Sequence, residues 1–367
     1  MRIIEQVLDE ARWAPSGDNT QPWRFEILDD MRAVIHGFDT RHDCVYDLDG
    51  YASHLAHGIL LETLAIAATA VGCRTEVRHL DALDNGEHRR YEVTLVRCDA
   101  VLPSPLVQYI RTRSVQRRPM KARSIAPDAM RALEQAAHPC TVTWFASTAE
   151  RWKIARLNFS NAEVRLTIPE AYEVHKRVIE WGASFSADRI PEGAVGIDPL
   201  TARMMKWVMG SWKRVEFFNR WLAGTLMPRV QLDLMPGIFC GAHALLSMDT
   251  PLDTVERRIE AGRAIARFWL TCAQHDLLLQ PEMTPLIFAR YVAENRIFSN
   301  TPGAVELSRR NATTLRQQHD IDVLQACWLC RIGYAVAPKS RSLRLTLEAL
   351  VARPAERAGQ AQDRRQQ

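Results

Sequence analysis

The chain has 367 residues, 47% of them hydrophobic and 25% charged, and its 47 Lys and Arg against 43 Asp and Glu leave a formal net charge of +4. That length exceeds one ordinary domain and the apolar fraction supports a sizeable core, which excludes a single small module and disorder over most of the chain. The near balance of charge gives no ground for a nucleic-acid partner, and no uncharged apolar run approaches the roughly 20 residues of a membrane span.

Residues 2–14 predict a short amphipathic helix with Ile3, Ile4, Val7, Leu8 and Ala11 as its stripe, halted by Pro15 and Gly17. The same segment carries acidic residues and no long apolar stretch, so no signal peptide is expected and the cytoplasm is the expected location. Trp23 to Leu28 alternates like a strand, Met31 to Phe38 offers a second, and Ser53 to Val71 is a helix ended by Gly72. Tyr91 to Val96 is a further strand, and Pro103 and Pro105 mark a junction before a helix from about Leu106. Residues 127–137 and 149–178 read as helical, with a strand at Thr141 to Phe145 between them.

The stretch 185–240 resists assignment. It interleaves Met204, Met205, Trp207, Met209, Trp212, Phe217, Phe218 and Trp221 with Lys206, Lys213, Arg214 and Arg220. Core helices with a solvated basic face, an inserted helical lid whose aromatic rings stack on a planar ligand, and a membrane-surface segment are the three readings. Beyond it come a helix at Val255 to Gln274, the turn QPEMTP, a strand at Cys327 to Val336 and a final helix near Leu343 to Leu350. The charged segment that closes the sequence reads as a disordered tail over 351–367.

Chemistry is narrowed first by absences. The sequence holds no G-x-G-x-x-G after a strand, no G-x-x-x-x-G-K-[ST], no G-x-S-x-G and no H-E-x-x-H, which leaves a Rossmann nucleotide domain, a P-loop, a hydrolase elbow and a zincin without support. Of eight cysteines only Cys327 and Cys330 form a C-x-x-C pair; with no second pair and an apolar setting, structural cysteine is preferred to redox or metal use. His54 and His57 share a helical face, and packing is preferred to metal ligation.

Three segments remain. Ala14 to Trp23 breaks a helix into a turn offering a hydroxyl, an amide and free backbone groups. Such a turn can meet the edge of a heterocycle or simply satisfy itself. Arg111, Arg113, Arg117 and Arg118 with Ser114, and Lys339, Ser340, Arg341 and Arg344, are two basic clusters suited either to a phosphate or to a solvated face.

The stretch ARWAPSGDNTQPWRFEI resembles the A-P-S-x-x-N-x-Q-P-W motif of the flavin-dependent nitroreductase family, and RTRSVQRRPM, LLLQPEM and RIGYAVAPKSR resemble its later segments in order. The resemblance implies an α+β nitroreductase-like fold and FMN as cofactor. Ordinary members build the site from two subunits, whereas both contributions lie here in one chain. It therefore implies two tandem halves, 1–103 and 104–350, each with an antiparallel or mixed sheet flanked by helices. The second half carries the insertion at about 185–240, and the pair forms an internal pseudo-dimer, compatible with a monomer, that holds one composite flavin site.

Carried onto this sequence, the resemblance places Pro15, Ser16 and Asn19 at the ring. Arg113, Ser114, Arg117, Lys339 and Arg341 are placed at the phosphate and the O2 edge, and Gln280, Pro281 and Glu282 at the ring face or N5 edge with a backbone N–H. The family spacing Arg-x-Ser/Thr-x-Arg is not kept, since Val115 stands between Ser114 and Gln116 in the run from Arg113 to Arg117. Either Ser114 supplies the hydroxyl or Arg111 shifts the register. The implied activity is NAD(P)H-driven, ping-pong two-electron transfer through flavin N5 to a small-molecule acceptor, with no catalytic side chain and no metal. The alternatives are a flavin-binding protein with little turnover and a specialised oxidase or dehydrogenase of a biosynthetic pathway.

Overall fold

The computed structural model describes residues 1–83 and 86–352. Helix α1 (Ile3–Ala11) buries Ile4, Val7, Leu8 and Ala11, one face of the anticipated stripe, and stops before Pro15. Strands β1 (Trp23–Ile27) and β2 (Arg32–Phe38) form a hairpin in which Phe25 faces Ile35. Helix α2 (Tyr51–Thr69) follows, then β3 (Cys73–Leu83) and β4 (His88–Arg97). These strands make one antiparallel sheet, ordered β1-β2-β4-β3. The sequence reading missed β3 because it is a sheet-edge strand with only Cys73 buried, so it has no apolar face to read.

Instead of the helix expected from Leu106 the chain makes only a single tight turn at Val107–Tyr109. Then come α3 (Pro127–Ala136), β5 (Thr141–Phe145), α4 (Thr148–Thr167) and α5 (Pro169–Val178). The expected continuous helix over 149–178 is split because Pro169 drives Ile168 to extended backbone (φ −108°, ψ 137°) and starts a new helix.

The unassigned stretch is a chain of short elements: β6 (Ile179–Glu180), β7 (Phe185–Ser186), β8 (Ile190–Pro191), α6 (Glu192–Val195), α7 (Pro199–Val208), α8 (Trp212–Trp221), α9 (Leu226–Arg229) and α10 (Met235–Ile238). Strand β9 (Ala242–Ser247), helix α11 (Val255–Gln274), β10 (Leu278–Pro281), α12 (Thr284–Ala293), α13 (Pro302–His319), β11 (Ala326–Gly333), β12 (Arg341–Ser342) and α14 (Leu347–Leu350) complete the described chain. A second antiparallel sheet runs β10-β11-β9-β5. Every residue of β11 is buried, which erases the two-residue period and leaves the continuous apolar run seen in the sequence. Among the described residues no helix is long and apolar enough to cross a membrane.

The α+β expectation with helix-flanked antiparallel sheets is met: one sheet lies within residues 23–97, the other within 141–333. An apolar core runs from Ile4 through α2, α11 and both sheets to Leu350, with smaller apolar clusters beside it around α4, α5 and α12. Helices α2 and α11 cross at its centre at Gly58 and Gly262. A β-carbon on Gly58 would lie 2.1 Å from the Ile259 carbonyl oxygen, and one on Gly262 2.2 Å from that of Leu55, so only glycine permits this approach. His54 and His57 are both buried. The His57 Nε2 proton is shared between the carbonyls of Pro22 (3.1 Å) and Phe38 (3.0 Å), which pins α2 to the start of β1 and the end of β2. Val351 and Ala352 do not belong to the tail expected over 351–367, because Val351 bridges to Phe25 and the Ala352 N–H donates to the Phe25 carbonyl at 2.8 Å; residues 353–367 lie outside the described residues.

Candidate functional site

The turn after α1 is held in costly geometry. Asp18 (φ 49°), Asn19 (φ 63°) and Gln21 (φ 47°) all occupy the left-handed region, at roughly 1–3 kcal/mol each for a non-glycine residue. The compensation is local and specific. Ser16 Oγ accepts the Gln21 N–H (2.9 Å), while the buried Gln21 amide donates to Ala187 O (2.8 Å) and accepts from the Leu345 N–H (2.9 Å). Asn19 Nδ2 donates to the carbonyls of Ala187 and Arg189 at 3.2 and 3.3 Å. The insertion thus closes directly onto the turn, and β7 pairs with β12 beside it. With its donors used, Asn19 keeps a buried Oδ1 that has no partner, so the amide offers an acceptor only.

Arg113, Arg341 and Arg344 come together from segments more than 200 residues apart. Arg113 stacks 4.5 Å over the Trp269 ring and donates to Trp13 O (3.2 Å). Arg344 donates through Nε to Ala14 O (2.9 Å), and Arg341 to Arg111 O (2.7 Å). Among the described residues none of the three has a carboxylate partner. Burial, then repulsion from Arg344 and Arg341, pushes Arg113 well below the ordinary guanidinium range; burial, then Arg341 and Arg12, brings Arg344 to about 9. Three cations without a carboxylate partner, Arg113 buried and Arg341 and Arg344 partly buried, form a site short of negative charge, which a phosphate-like anion would supply. Arg111 is instead spent at the surface on Asp9 (2.7 Å) and Glu10 (2.8 Å), so the register is not shifted onto it.

Gln280 and Pro281 end β10, and Glu282 follows it directly. Their expected backbone donor is not at Pro281 or Glu282, because proline has no N–H and that of Glu282 is donated to Leu329 O at 2.7 Å. The Glu282 carboxylate is also committed, accepting from His243 (2.7 Å) and Arg331 (2.8 Å) in a buried network. Burial opposes its charge, but His243 and Arg331 outweigh this and hold it at about 2; on His243 burial is outweighed by Glu282 and Cys240, raising it to about 10. Gln280 retains an unpartnered, buried Oε1.

These segments line one cavity of about 410 Å³, within the usual size of a small-molecule site. Pro15, Ser16, Asn19, Arg113, Ser114, Arg117, Gln280, Pro281, Glu282 and Arg341 all face it, as does Arg344. Lys339 is exposed and is not among the lining residues; Ser340 and Ser342 are. Helices α2 and α11 supply an apolar wall through Tyr51, Leu55, Ile59 and Trp269.

Sequence reasoning missed the other end of the cavity, formed by Asp18, Tyr46, Asn158, Arg165, His175 and Asp233. Arg165 pairs with Asp233 (2.8 Å), and Tyr46 and His175 share a 3.0 Å hydrogen bond. Burial, then the Arg165 charge, drives His175 down to about 3, and burial raises Asp18 against the pull of Arg117, Arg165 and Arg177. Arg117, lowered to about 10 chiefly by burial, belongs with this end and donates to Ala194 O (3.0 Å). No single motif announces these residues: Asp18 stands in the turn, Tyr46 between β2 and α2, Asn158 and Arg165 on α4, His175 on α5 and Asp233 between α9 and α10. Of the three readings of the insertion, the lid of stacked rings is corrected: the insertion meets the cavity with Ile190, Val195, Met205, Met209 and Leu232, while Trp207, Phe217 and Trp221 point outward.

No protein-family model and no curated protein matches the sequence. Among solved structures, the chain is similar to the FMN-dependent nitroreductase NfnB from Mycobacterium smegmatis, described in complex with NADPH. The two are 16% identical, with a TM-score of 0.35 over 67% of this chain and 96% of that one. It is also similar to a nitroreductase-like family protein from Bacillus cereus, at 8% identity and a TM-score of 0.33 over 68% of this chain and 96% of that one.

Proposed function

We propose that the protein is an FMN-dependent oxidoreductase of the nitroreductase type, taking electron pairs from NAD(P)H and delivering them to a small-molecule acceptor. The observation that carries this reading is the trio Arg113, Arg341 and Arg344, buried or partly buried and without a carboxylate, in one cavity with the strained Pro15–Asn19 turn. The donor set fits FMN: a phosphate needs cations and hydroxyls, provided by the trio with Ser114, Ser340 and Ser342, and a planar ring needs an apolar slot with a few polar edges. Two buried acceptors without partners, Asn19 Oδ1 and Gln280 Oε1, face the same space and are stabilised by any ligand that donates to them.

When bound, FMN supplies two-electron exchange between a nicotinamide and an acceptor. The chain's own contributions are binding and placement. The arginines neutralise the phosphate, the turn and Gln280 orient the polar edge, and the α2 wall with Trp269 excludes water. No side chain is assigned as an acid or base. The cavity takes its turn and α2 wall from residues 1–103 and its arginines and β10 from 104–350, which supports two tandem halves sharing one composite site per chain.

One observation favours a second reading, a flavin-holding protein with little turnover. The insertion is hydrogen-bonded across the turn through Asn19 and Gln21, a cover that hinders exchange of nicotinamide and acceptor. A visible spectrum of the purified protein with and without NADH or NADPH under anaerobic conditions, with the flavin-to-protein ratio, tests both. One flavin per chain that bleaches quickly supports the oxidoreductase, slow bleaching supports the holding protein, and failure to bind FMN refutes both.

A further inference from the structure

Helices α7 and α8 have two unlike sides. Inward, Ala202 and Val215 are buried and Met205 and Met209 reach the cavity wall. Outward, large apolar side chains stand in water: Leu200 is 76% exposed, Trp207 56%, Phe217 54%, Trp221 66%, Leu222 56% and Met227 52%. They fall at helical spacing, Leu200 and Trp207 two turns apart on α7, Phe217 and Trp221 one turn apart on α8. The surface is continuous, because the Trp207 ring meets Phe218 edge-on at 5.8 Å and Phe218 meets Phe217 at 6.1 Å. A soluble surface rarely gathers so many large apolar side chains on adjacent helices without a partner for them.

Charge identifies the partner. Residues 199–227 hold Arg203, Lys206, Lys213, Arg214 and Arg220, all exposed, against the single acid Glu216, so this short stretch carries as much net positive charge as the entire chain. Two cations sit on the exposed indoles themselves, Arg214 at 4.8 Å over Trp207 and Arg220 at 5.4 Å over Trp221. A second copy of the chain docking on this face by two-fold symmetry would bring five cations against five. Tryptophan, phenylalanine and leucine among lysines and arginines, on helices lying along a surface, match the boundary between acyl chains and anionic headgroups.

We propose that the outer face of α7 and α8, with the Leu222–Met227 segment, docks the protein on an anionic lipid surface. Docking of this kind needs no spanning helix. It places the bilayer against the helices whose inner sides carry Met205 and Met209, so the cover of the cavity is the part of the molecule that meets the membrane.

The test is co-sedimentation of the full-length protein with vesicles of phosphatidylcholine alone and of phosphatidylcholine mixed with phosphatidylglycerol, at low and high salt, with tryptophan emission read in parallel. Expected are at least tenfold stronger partitioning onto the anionic vesicles, a blue shift of emission on binding and weakening by salt. The double variant Phe217→Ser with Trp221→Ser loses the blue shift and most of the binding, and Lys213→Glu with Arg214→Glu loses the preference for anionic lipid. All four positions are exposed, and an unchanged circular-dichroism spectrum and melting temperature certify each variant as folded. Equal or no partitioning onto the two vesicle types overturns the proposal. So does a concentration-dependent dimer in light scattering that Phe217→Ser with Trp221→Ser dissolves while the wild type ignores vesicles, since the occupant is then a second copy.

Discussion

Gly58→Ala sets two physical effects against each other. Helix propensity favours alanine over glycine by about 1 kcal/mol in a helix interior, so α2 on its own is stabilised. Packing acts the other way. The new β-carbon lies 2.1 Å from Ile259 O and 2.9 Å from Gly262 Cα, where ordinary contact begins near 3.4 Å, so α11 must retreat by roughly 1 Å. The obstruction is backbone on the facing helix, which has no rotamer to change. Overpacking of this kind costs about 1–3 kcal/mol, and a rigid neighbour places the value at the upper end. A gap of roughly 1 Å along the rest of the interface also forfeits a quarter to a half of each dispersion contact there. Packing wins, with a net loss of about 2–3 kcal/mol and a fall in melting temperature of about 3–4 °C for a chain of this length. Calorimetry or thermal circular dichroism measures it. Gly303→Ala is the control, because nothing lies within 4 Å of its added β-carbon in the first turn of α13, and its melting temperature holds or rises. Since α2 supplies Leu55 and Ile59, and α11 Trp269, to the cavity wall, Gly58→Ala also lowers flavin retention. A Gly58→Ala protein that melts at or above the wild-type temperature refutes the reasoning.

Arg344→Ala and Arg341→Ala each reduce the flavin-to-protein ratio after purification, whereas Lys339→Ala leaves it unchanged; equal ratios in all three would remove the arginine trio from the site. Inorganic phosphate stabilises the flavin-free wild type by about 2.7 kcal/mol at a hundredfold excess over its Kd, read as a higher melting temperature, and the gain disappears in Arg113→Ala. Asn19→Ala removes the unpartnered acceptor together with two bonds to the insertion, and it weakens flavin retention more than Thr20→Ala does, as equilibrium dialysis with FMN will show. The buried His243–Glu282–Arg331 network gives stability a defined pH window. Glu282, held at about 2, contributes above its unfolded value of 4.5 and loses this as pH falls toward 2; His243, raised to about 10, contributes below 6.5 and loses this as pH rises toward 10. Glu282→Gln leaves a buried imidazole without its anion, costs about 3–5 kcal/mol and flattens both flanks of the melting-temperature profile against pH.

The legible parts of the chain were those whose signal is local. A helix stripe that stops at Pro15, the alternation of Trp23–Ile27 and Arg32–Phe38, and the uninterrupted apolar run of Ala326–Gly333 are each written within a few residues, because propensity and burial act on neighbours. The Ala14–Trp23 turn was legible for the same reason: residues able to hold left-handed backbone follow one another, and Ser16 caps its own turn. The edge strand Cys73–Leu83, the break at Ile168 and helices α12 and α13 were less legible, since edge pairing, a single proline and packing among short helices leave weak periodic traces.

The motif resemblance therefore implied the fold class, and the local sequence marked the turn and the two basic clusters. Only the tertiary structure decided which arginines matter. Arg111 and Arg113 are two residues apart and chemically alike, yet one meets Asp9 and Glu10 at the surface while the other lies buried over Trp269 with Arg341 and Arg344 for neighbours. Lys339 and Arg341 part in the same way, one into water and one into the cavity. The far end of the cavity is assembled by tertiary structure, which brings Asp18 of the turn and Tyr46 together with Asn158 and Arg165 of α4, His175 of α5 and Asp233. The physical reason is that a charged side chain is identical in sequence whether its counter-ion is present or missing; its energy is set by desolvation and by neighbours that the chain supplies only on folding.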